Sequence, residues 1–261
     1  MTTTIVFASE KGGVGKTTSA VNLAVALVIG GYKVLLLDMD PQGSVRLSFG
    51  AKSPVHKGTL ELLMEPATPL SELLAPPDGT GLDAIYANIN TLSDQWKLDE
   101  SGMDPFTLNS RLTKEAQDYD FIVIDAPAST GMLAVNSLTA AQLVVLPLQC
   151  ESLAIKSLKR FLVAFRDLQG RVNPDLRIAG ILLTMYDRSL EVHRRICREV
   201  YDALYDSVFE TIIPKSKEIT ESSAVGQAVL TYGINSVGAT AYIRLAKEIL
   251  DRFGLRPQMP T

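Results

Sequence analysis

The sequence predicts an α/β fold: a doubly wound, mostly parallel sheet with helices on both faces. Three observations lead there. Strand-length apolar runs alternate with helix-length runs along most of the chain. The strand runs are almost wholly apolar, as strands covered on both faces are, instead of alternating apolar and polar. The first junction between such a run and a helix is the glycine-rich stretch Lys11-Gly-Gly-Val-Gly-Lys-Thr-Thr18.

In order, Ile5–Ser9 reads as a buried strand and Ser19–Ile29 as a helix ended by Gly30-Gly31. Lys33–Asp38 is a second apolar strand with an acidic end, and Met39–Gly50 a polar loop. Residues 51 to about 105 carry the weakest pattern. Thr59–Met64 and Leu70–Leu74 read as short helices among several prolines, and Leu82–Tyr86 as a strand. Trp96, the only tryptophan, reads as structural filler. Regular alternation then resumes: helix 106–117, strand Phe121–Asp125, helix 132–141, strand Leu143–Leu148, helix 153–168 and strand Leu176–Thr184. Helix 191–205, a short strand Phe209–Ile213 and a final helix Ala239–Phe253 stopped by Gly254 complete the pattern. No internal repeat or low-complexity tract interrupts it, so residues 1–261 are expected to form one domain.

Bulk properties narrow the function. Hydrophobic residues make up 46% and charged residues 21%, as in a globular protein with a large core. A net charge of -4 argues against a generally basic nucleic-acid binder while leaving room for a local basic patch. The two cysteines, Cys150 and Cys197, are far apart in sequence and lie in segments that read as buried. Neither a disulfide framework nor a zinc site is expected, and a reducing compartment fits. No secretory leader is recognisable, and no apolar run reaches the ~18 residues of a membrane span.

The glycine-rich stretch has a direct chemical reading. Glycines 12, 13 and 15 let the loop curl so that successive N–H groups form an anion nest, and the following helix adds its positive end. Lys16 supplies a mobile cation for terminal phosphates, and the Thr17 hydroxyl is placed to ligate Mg²⁺. The ordinary pattern G-x-x-x-x-G-K-[ST] wants glycine at position 10, where this chain has Glu10, and an extra lysine, Lys11, precedes the glycines. Ligands of open α/β sheets sit at the carboxyl ends of the strands. Asp38 and Asp125 end two apolar runs and Asp40 follows closely, so all three should converge on the edge that carries the loop.

K-G-G-x-G-K-[ST]-T resembles the deviant Walker A motif of the ParA/MinD family of P-loop ATPases, and the resemblance is strongest to short Soj-type ParA proteins, which lack an N-terminal DNA-reading domain. This chain starts directly at its first strand and is expected to lack one too. The resemblance implies that Lys11, Gly12, Gly13, Val14, Gly15, Lys16, Thr17 and Thr18 bind ATP, with Lys11 reaching the nucleotide of a partner subunit. It gives catalytic roles to Lys11, Lys16 and Asp40, the last by orienting or activating the attacking water. Asp125 resembles a Walker B aspartate, and Thr17, Asp38 and Asp125 are the candidate Mg²⁺ residues. Asp125-Ala-Pro-Ala-Ser129 departs from the family's D-C-P-P-S switch at its second proline. Leu148-Gln-Cys-Glu151 resembles a segment that places Glu151 near the dimer interface. Ile181–Asp187 and Thr211–Lys215 resemble the adenine walls, with Pro214 the best candidate for contact with the base.

The implied partners are a second copy of the chain when ATP is bound, nonspecific DNA, and an activating protein of ParB type or a cargo adaptor. No membrane is expected, and the location would be cytoplasmic and nucleoid-associated. Helix 191–205 is the candidate DNA face. Val192, Ile196, Val200 and Leu204 recur at core spacing and leave Arg194, Arg195 and Arg198 on another face, with Arg188, Lys215 and Lys217 nearby. The pairs Glu191–Arg195 and Arg195–Glu199 suit an ordinary solvated helix equally well. Rival readings are a MinD-like membrane-cycling ATPase, a nitrogenase-reductase-like or metal-cluster scaffold ATPase, and a P-loop kinase or amidotransferase-type synthetase.

Overall fold

Six strands, β1 (Thr3–Phe7), β2 (Val34–Asp38), β3 (Asp83–Ile85), β4 (Phe121–Asp125), β5 (Leu143–Gln149) and β6 (Arg177–Thr184), form one sheet in the order β3-β2-β4-β1-β5-β6. Every pairing is parallel, as their continuous apolar character requires. This computed structural model describes residues 2–51, 55–129, 131–151 and 154–255.

Side chains alternate between the two faces of the sheet. Val6, Leu35, Leu37, Ile122, Ile124, Val144 and Leu146 enter one core, with α3 (Thr59–Met64), α5 (Thr107–Glu115), α6 (Met132–Thr139), α7 (Ala154–Arg171) and α8 (Glu191–Leu204). Ile5, Phe7, Val34, Leu36, Phe121, Val123 and Val145 enter the other, with α1 (Lys16–Ile29), α10 (Val229–Tyr232) and α11 (Val237–Phe253). Helix α11 buries Ala239, Tyr242, Leu245 and Ile249, faces the core as expected, and ends at Gly254 with φ 64. The remaining helices are α2 (Ser44–Leu47), α4 (Leu92–Glu100) and α9 (Lys217–Ala224).

Four expectations are corrected. Phe209–Ile213 is no strand: the isolated bridges Ile181–Val208 and Tyr186–Pro214 and the Ile213 N–H bonded to the Leu183 carbonyl at 2.9 Å tie that segment to β6 and the turn after it without forming a ladder. The N–H groups of Glu210 and Thr211 donate instead to the Glu248 carboxylate at 2.8 and 2.9 Å, which interrupts any ladder. Trp96 does not fill the core; it sits on α4 with 63% of its surface exposed. Leu70–Leu74 shortens to a 3₁₀ turn over Leu70–Glu72. Helix α2 arises where the sequence read as loop, and α9 and α10 where it was assigned no element, α9 being started by Ser216, whose side chain accepts from the N–H of Ile219.

Strand order fixes the site. β4 lies between β1 and β2, with Asp125 in register with Phe7 on one side and Asp38 on the other. The chain leaves β1 toward β2 on one side of the sheet and reaches β5 on the other, so the glycine-rich loop after β1 stands at the topological switch point.

Candidate active site

The loop between β1 and α1 turns through two left-handed glycines, Gly13 at φ 78 and Gly15 at φ 83, a conformation that side-chain-bearing residues rarely hold. Gly15 is the N-cap of α1 and no side chain caps that end, so the first N–H groups of the helix are left for a ligand. A Cβ placed on Gly12 or Gly13 would meet no heavy atom within 4 Å, which shows that the loop faces open space. Thr184 Oγ1 at the end of β6 donates to the Val14 carbonyl at 2.8 Å and pins the loop from outside. The Val14 side chain is buried, so this residue can serve a ligand only through its backbone.

Beneath the loop the charges are paired. Lys16, 7% exposed, donates to Asp125 Oδ1 at 3.0 Å and lies 3.4 Å from Asp40 Oδ2. Thr17 Oγ1 donates to Asp125 Oδ2 at 2.6 Å. Burial lifts the Asp125 carboxyl above its ordinary range, against the pull of Lys16 and Thr17 in the other direction. Asp38 is fully buried beside it and is raised well above the usual carboxylate range, first by burial and then by the Asp125 charge. Its two oxygens accept from the N–H groups of Asp40 and Val45, both at 3.1 Å. Asp38 thereby shapes the Asp40–Ser44 turn and the start of α2. Asp40 itself accepts from the Gln42 N–H at 3.1 Å and remains at the cavity surface.

A cavity of about 830 Å³ lies beside these residues, lined by Lys11, the glycines, Lys16, Thr17, Thr18 and Asp40 and closed by Pro127–Ser129 and Met185, while Asp38 and Asp125 lie fully buried behind its wall. Pro41, Gln42 and Ser44 belong to its wall although none was singled out as a site residue, and Met185 joins them from the Ile181–Asp187 segment read as an adenine wall. Met185 holds φ 51 and brings its methyl to 3.6 Å from the position of a Cβ on Gly15. Pro214 does not line this cavity; it lies in the neighbouring open groove with Tyr186, one residue beyond Met185.

The donor set fits a magnesium nucleotide. A nest of N–H groups and two lysines suits phosphate, and hard oxygens from Thr17, Asp125 and Asp40 surround the inner end. Among the described residues no cluster of three or more His, Cys, Asp or Glu side chains could hold a metal alone. Mg²⁺ keeps waters and shares phosphate oxygens with few protein ligands.

Lys11 stands at the rim, ion-paired with Glu151, both side chains nearly half exposed. Glu10, where the ordinary motif has glycine, accepts from Arg160 of α7 at 3.1 Å. The sequence offered no signal for that second pair, since the two residues are 150 positions apart.

On α8 the arginines are exposed but engaged. Arg194 and Arg198 pair with Glu191, and Arg195 with Glu199 at 3.8 Å. The expected Glu191–Arg195 pair is replaced by these contacts. Val192 is 40% exposed, so the core stripe begins only at Ile196. Lys215 donates its backbone N–H to the Tyr186 carbonyl, which brings it beside the turn that carries Arg188. Lys217 opens α9 and pairs with Glu221 at 3.3 Å. Cys150 and Cys197, far apart in sequence, bring their sulfurs to 3.5 Å.

The raised Asp38 gives a pH prediction. A folded acid with an elevated pKa stabilises the fold most below its unfolded value, near 4, and that contribution is lost as pH climbs to the folded pKa. The melting temperature of the ligand-free chain, relative to Asp38→Asn, is therefore expected to fall as pH rises from about 4. A difference that is flat with pH would show Asp38 to titrate normally.

Comparison with known proteins gives the same answer. A family profile described as "AAA domain" matches residues 2–178. The chromosome-partitioning ATPase Soj of Treponema pallidum is 36% identical over 253 residues, covering 97% of this chain and 99% of that protein. The sporulation initiation inhibitor protein Soj of Bacillus subtilis is 36% identical, with 94% and 97% covered. A crystal structure named as cobyrinic acid a,c-diamide synthase from Mycobacterium smegmatis, with ADP and magnesium bound, superposes with a TM-score of 0.83 at 34% identity, covering 100% of this chain and 99% of that one. The doubly wound sheet, the double-lysine phosphate loop and these full-length similarities place the chain in the ParA/Soj family of P-loop ATPases, acting on ATP with Mg²⁺ as its cofactor.

Proposed function

We propose that this ATPase is a dimeric switch that holds nonspecific DNA in its ATP-bound form and hydrolyses ATP to segregate or position DNA or another cargo. The observation that carries the reading is Lys11. Lys16 already supplies a buried cation to the phosphate site, whereas Lys11 waits at the rim on an exposed ion pair of the kind worth only ~0–1 kcal/mol. Such a pair is readily exchanged for the phosphate of a second subunit.

On this reading the loop N–H groups and Lys16 hold the β- and γ-phosphates. Lys16 gives up Asp125 and Asp40 as it turns to them. Thr17 and Asp125 would hold Mg²⁺, with the buried Asp38 supporting them from behind. Bound Mg²⁺ neutralises charge that builds on the phosphate oxygens. Asp40, freed from Lys16, orients the attacking water and accepts its proton. Pro127–Ser129, against the same cavity, senses the terminal phosphate. The base extends past Met185 toward Tyr186 and Pro214. A ParB-type protein or cargo adaptor stimulates the slow turnover, and the switch works in the cytoplasm on the nucleoid.

Arg188, Arg194, Arg195, Arg198, Lys215 and Lys217 form the DNA face, their exposed guanidinium and ammonium groups exchanging local glutamates for phosphates. The test is DNA retention with ATP against ADP at several salt concentrations. Retention is expected with ATP only, and Arg195→Ala should reduce the slope of log K against log salt by about 0.9 if it contacts one phosphate. Equal retention with both nucleotides would refute the switch.

The name of the mycobacterial neighbour favours a second reading, ATP-driven amide synthesis. ATP turnover that depends on a carboxylate acceptor and an amine donor, and ignores DNA, would bear it out.

A further inference from the structure

The two cysteines form a site that the nucleotide reaction does not use. Cys150 directly follows β5 and precedes Glu151, the partner of Lys11; Cys197 lies in the middle of α8. They are separated by 47 positions, yet their sulfurs stand 3.5 Å apart, both as free thiols. Closing to a disulfide requires the sulfurs to approach to about 2.05 Å, a small movement for two side chains already in contact. Cys197 is the more open of the two at 7% exposure, and its hydrogen bond with Cys150 lowers its pKa.

We propose that Cys150 and Cys197 are an oxidative modification site, a reversible intrachain disulfide that ties α8 to the strand end carrying Glu151. Intracellular disulfides, where they occur, are mostly transient and redox-sensing. With a peroxide as oxidant, the Cys197 thiolate attacks one peroxide oxygen, the O–O bond breaks and hydroxide leaves, taking up the proton the thiol lost to become water and giving a sulfenic acid. The Cys150 sulfur then attacks the Cys197 sulfur, the S–O bond breaks, and the Cys150 proton departs in a second water. Two thiols have lost two electrons and the peroxide has gained them. An external dithiol reverses the step by thiol–disulfide exchange.

The consequence rests on the dimer reading above. A bond at Cys150 fixes the backbone immediately before Glu151 and the buried side of α8, whose other face carries the arginines. It holds Glu151 in its pairing with Lys11, so the oxidised chain should lose ATP-dependent dimerisation.

The experiment exposes the full reduced chain, in native buffer, to graded hydrogen peroxide. The chain is then denatured, alkylated with N-ethylmaleimide and weighed intact. The reduced chain should carry two adducts, one per cysteine, and the oxidised chain none, while remaining monomeric on a non-reducing gel and regaining both after dithiothreitol. Cys150→Ala and Cys197→Ala should each abolish the intrachain product. Both thiols remaining alkylatable, crosslinking between chains, or irreversible over-oxidation would overturn the proposal. Dimerisation with a nonhydrolysable ATP analogue is measured on both forms. A dimer from the reduced form only supports the consequence, and equal dimerisation of both overturns it. If the reduced chain stays monomeric, the dimer reading falls, while the mass readout still decides the disulfide.

Discussion

A Lys16→Ala chain is expected to lose ATP hydrolysis by roughly 10²–10³-fold, the usual effect of deleting one preorganised charge from a phosphoryl or oxyanion site. The structure makes this lysine hard to replace. It is buried, contacts Asp125 and approaches Asp40, and shares with Thr17 the one carboxylate that lies in register with both the loop strand and the Asp38 strand. Removing it takes away the main opposing charge at Asp125, whose carboxyl burial has already raised. The Asp125 pKa should then rise further, weakening it as a metal-side acceptor. The measurement is steady-state phosphate release alongside nucleotide binding. Hydrolysis within threefold of the parent would contradict the role given to Lys16.

The second large effect belongs to Lys11. Lys11→Ala is expected to keep nucleotide binding in the monomer and to lose the ATP-dependent dimer. A desolvated ion pair across an interface is worth at least about 2 kcal/mol when one partner is truncated. Two such contacts per dimer should move association by several orders of magnitude. Glu151→Gln should act in the opposite direction. Freeing Lys11 from an exposed pair worth at most about 1 kcal/mol should strengthen dimerisation by up to about fivefold per subunit. Sedimentation of both variants with and without a nonhydrolysable analogue separates them. A dimer that survives Lys11→Ala, or weakens in Glu151→Gln, would count against the cross-subunit role.

The features legible from the sequence are those fixed over a few residues. The loop glycines, Lys16 and Thr17 are contiguous, and their positive φ values and uncapped helix end follow from the motif. Asp38 and Asp125 were legible because both terminate apolar runs, and parallel strands put such ends on one edge. What escaped depends on distant partners. Glu248 draws off the N–H groups of Glu210 and Thr211 and cancels a strand that local composition favoured. Nothing near Glu10 announces Arg160, and nothing near Cys150 announces Cys197. Trp96 misled because a large aromatic is usually covered, while α4 leaves it on the surface. Helices α9 and α10 escaped because their sequences are short and polar or lack helical spacing, so their start is set by Ser216 and by packing on α1 and α11.

The central claim, that a nucleotide is shared between two copies of this chain, is tested most directly by a structure of the full chain with a nonhydrolysable ATP analogue and Mg²⁺. The account predicts a two-fold dimer with each Lys11 ammonium released from Glu151 and bonded to a phosphate oxygen held by the opposite subunit. A nucleotide-loaded single subunit, with Lys11 still paired to Glu151, would contradict it.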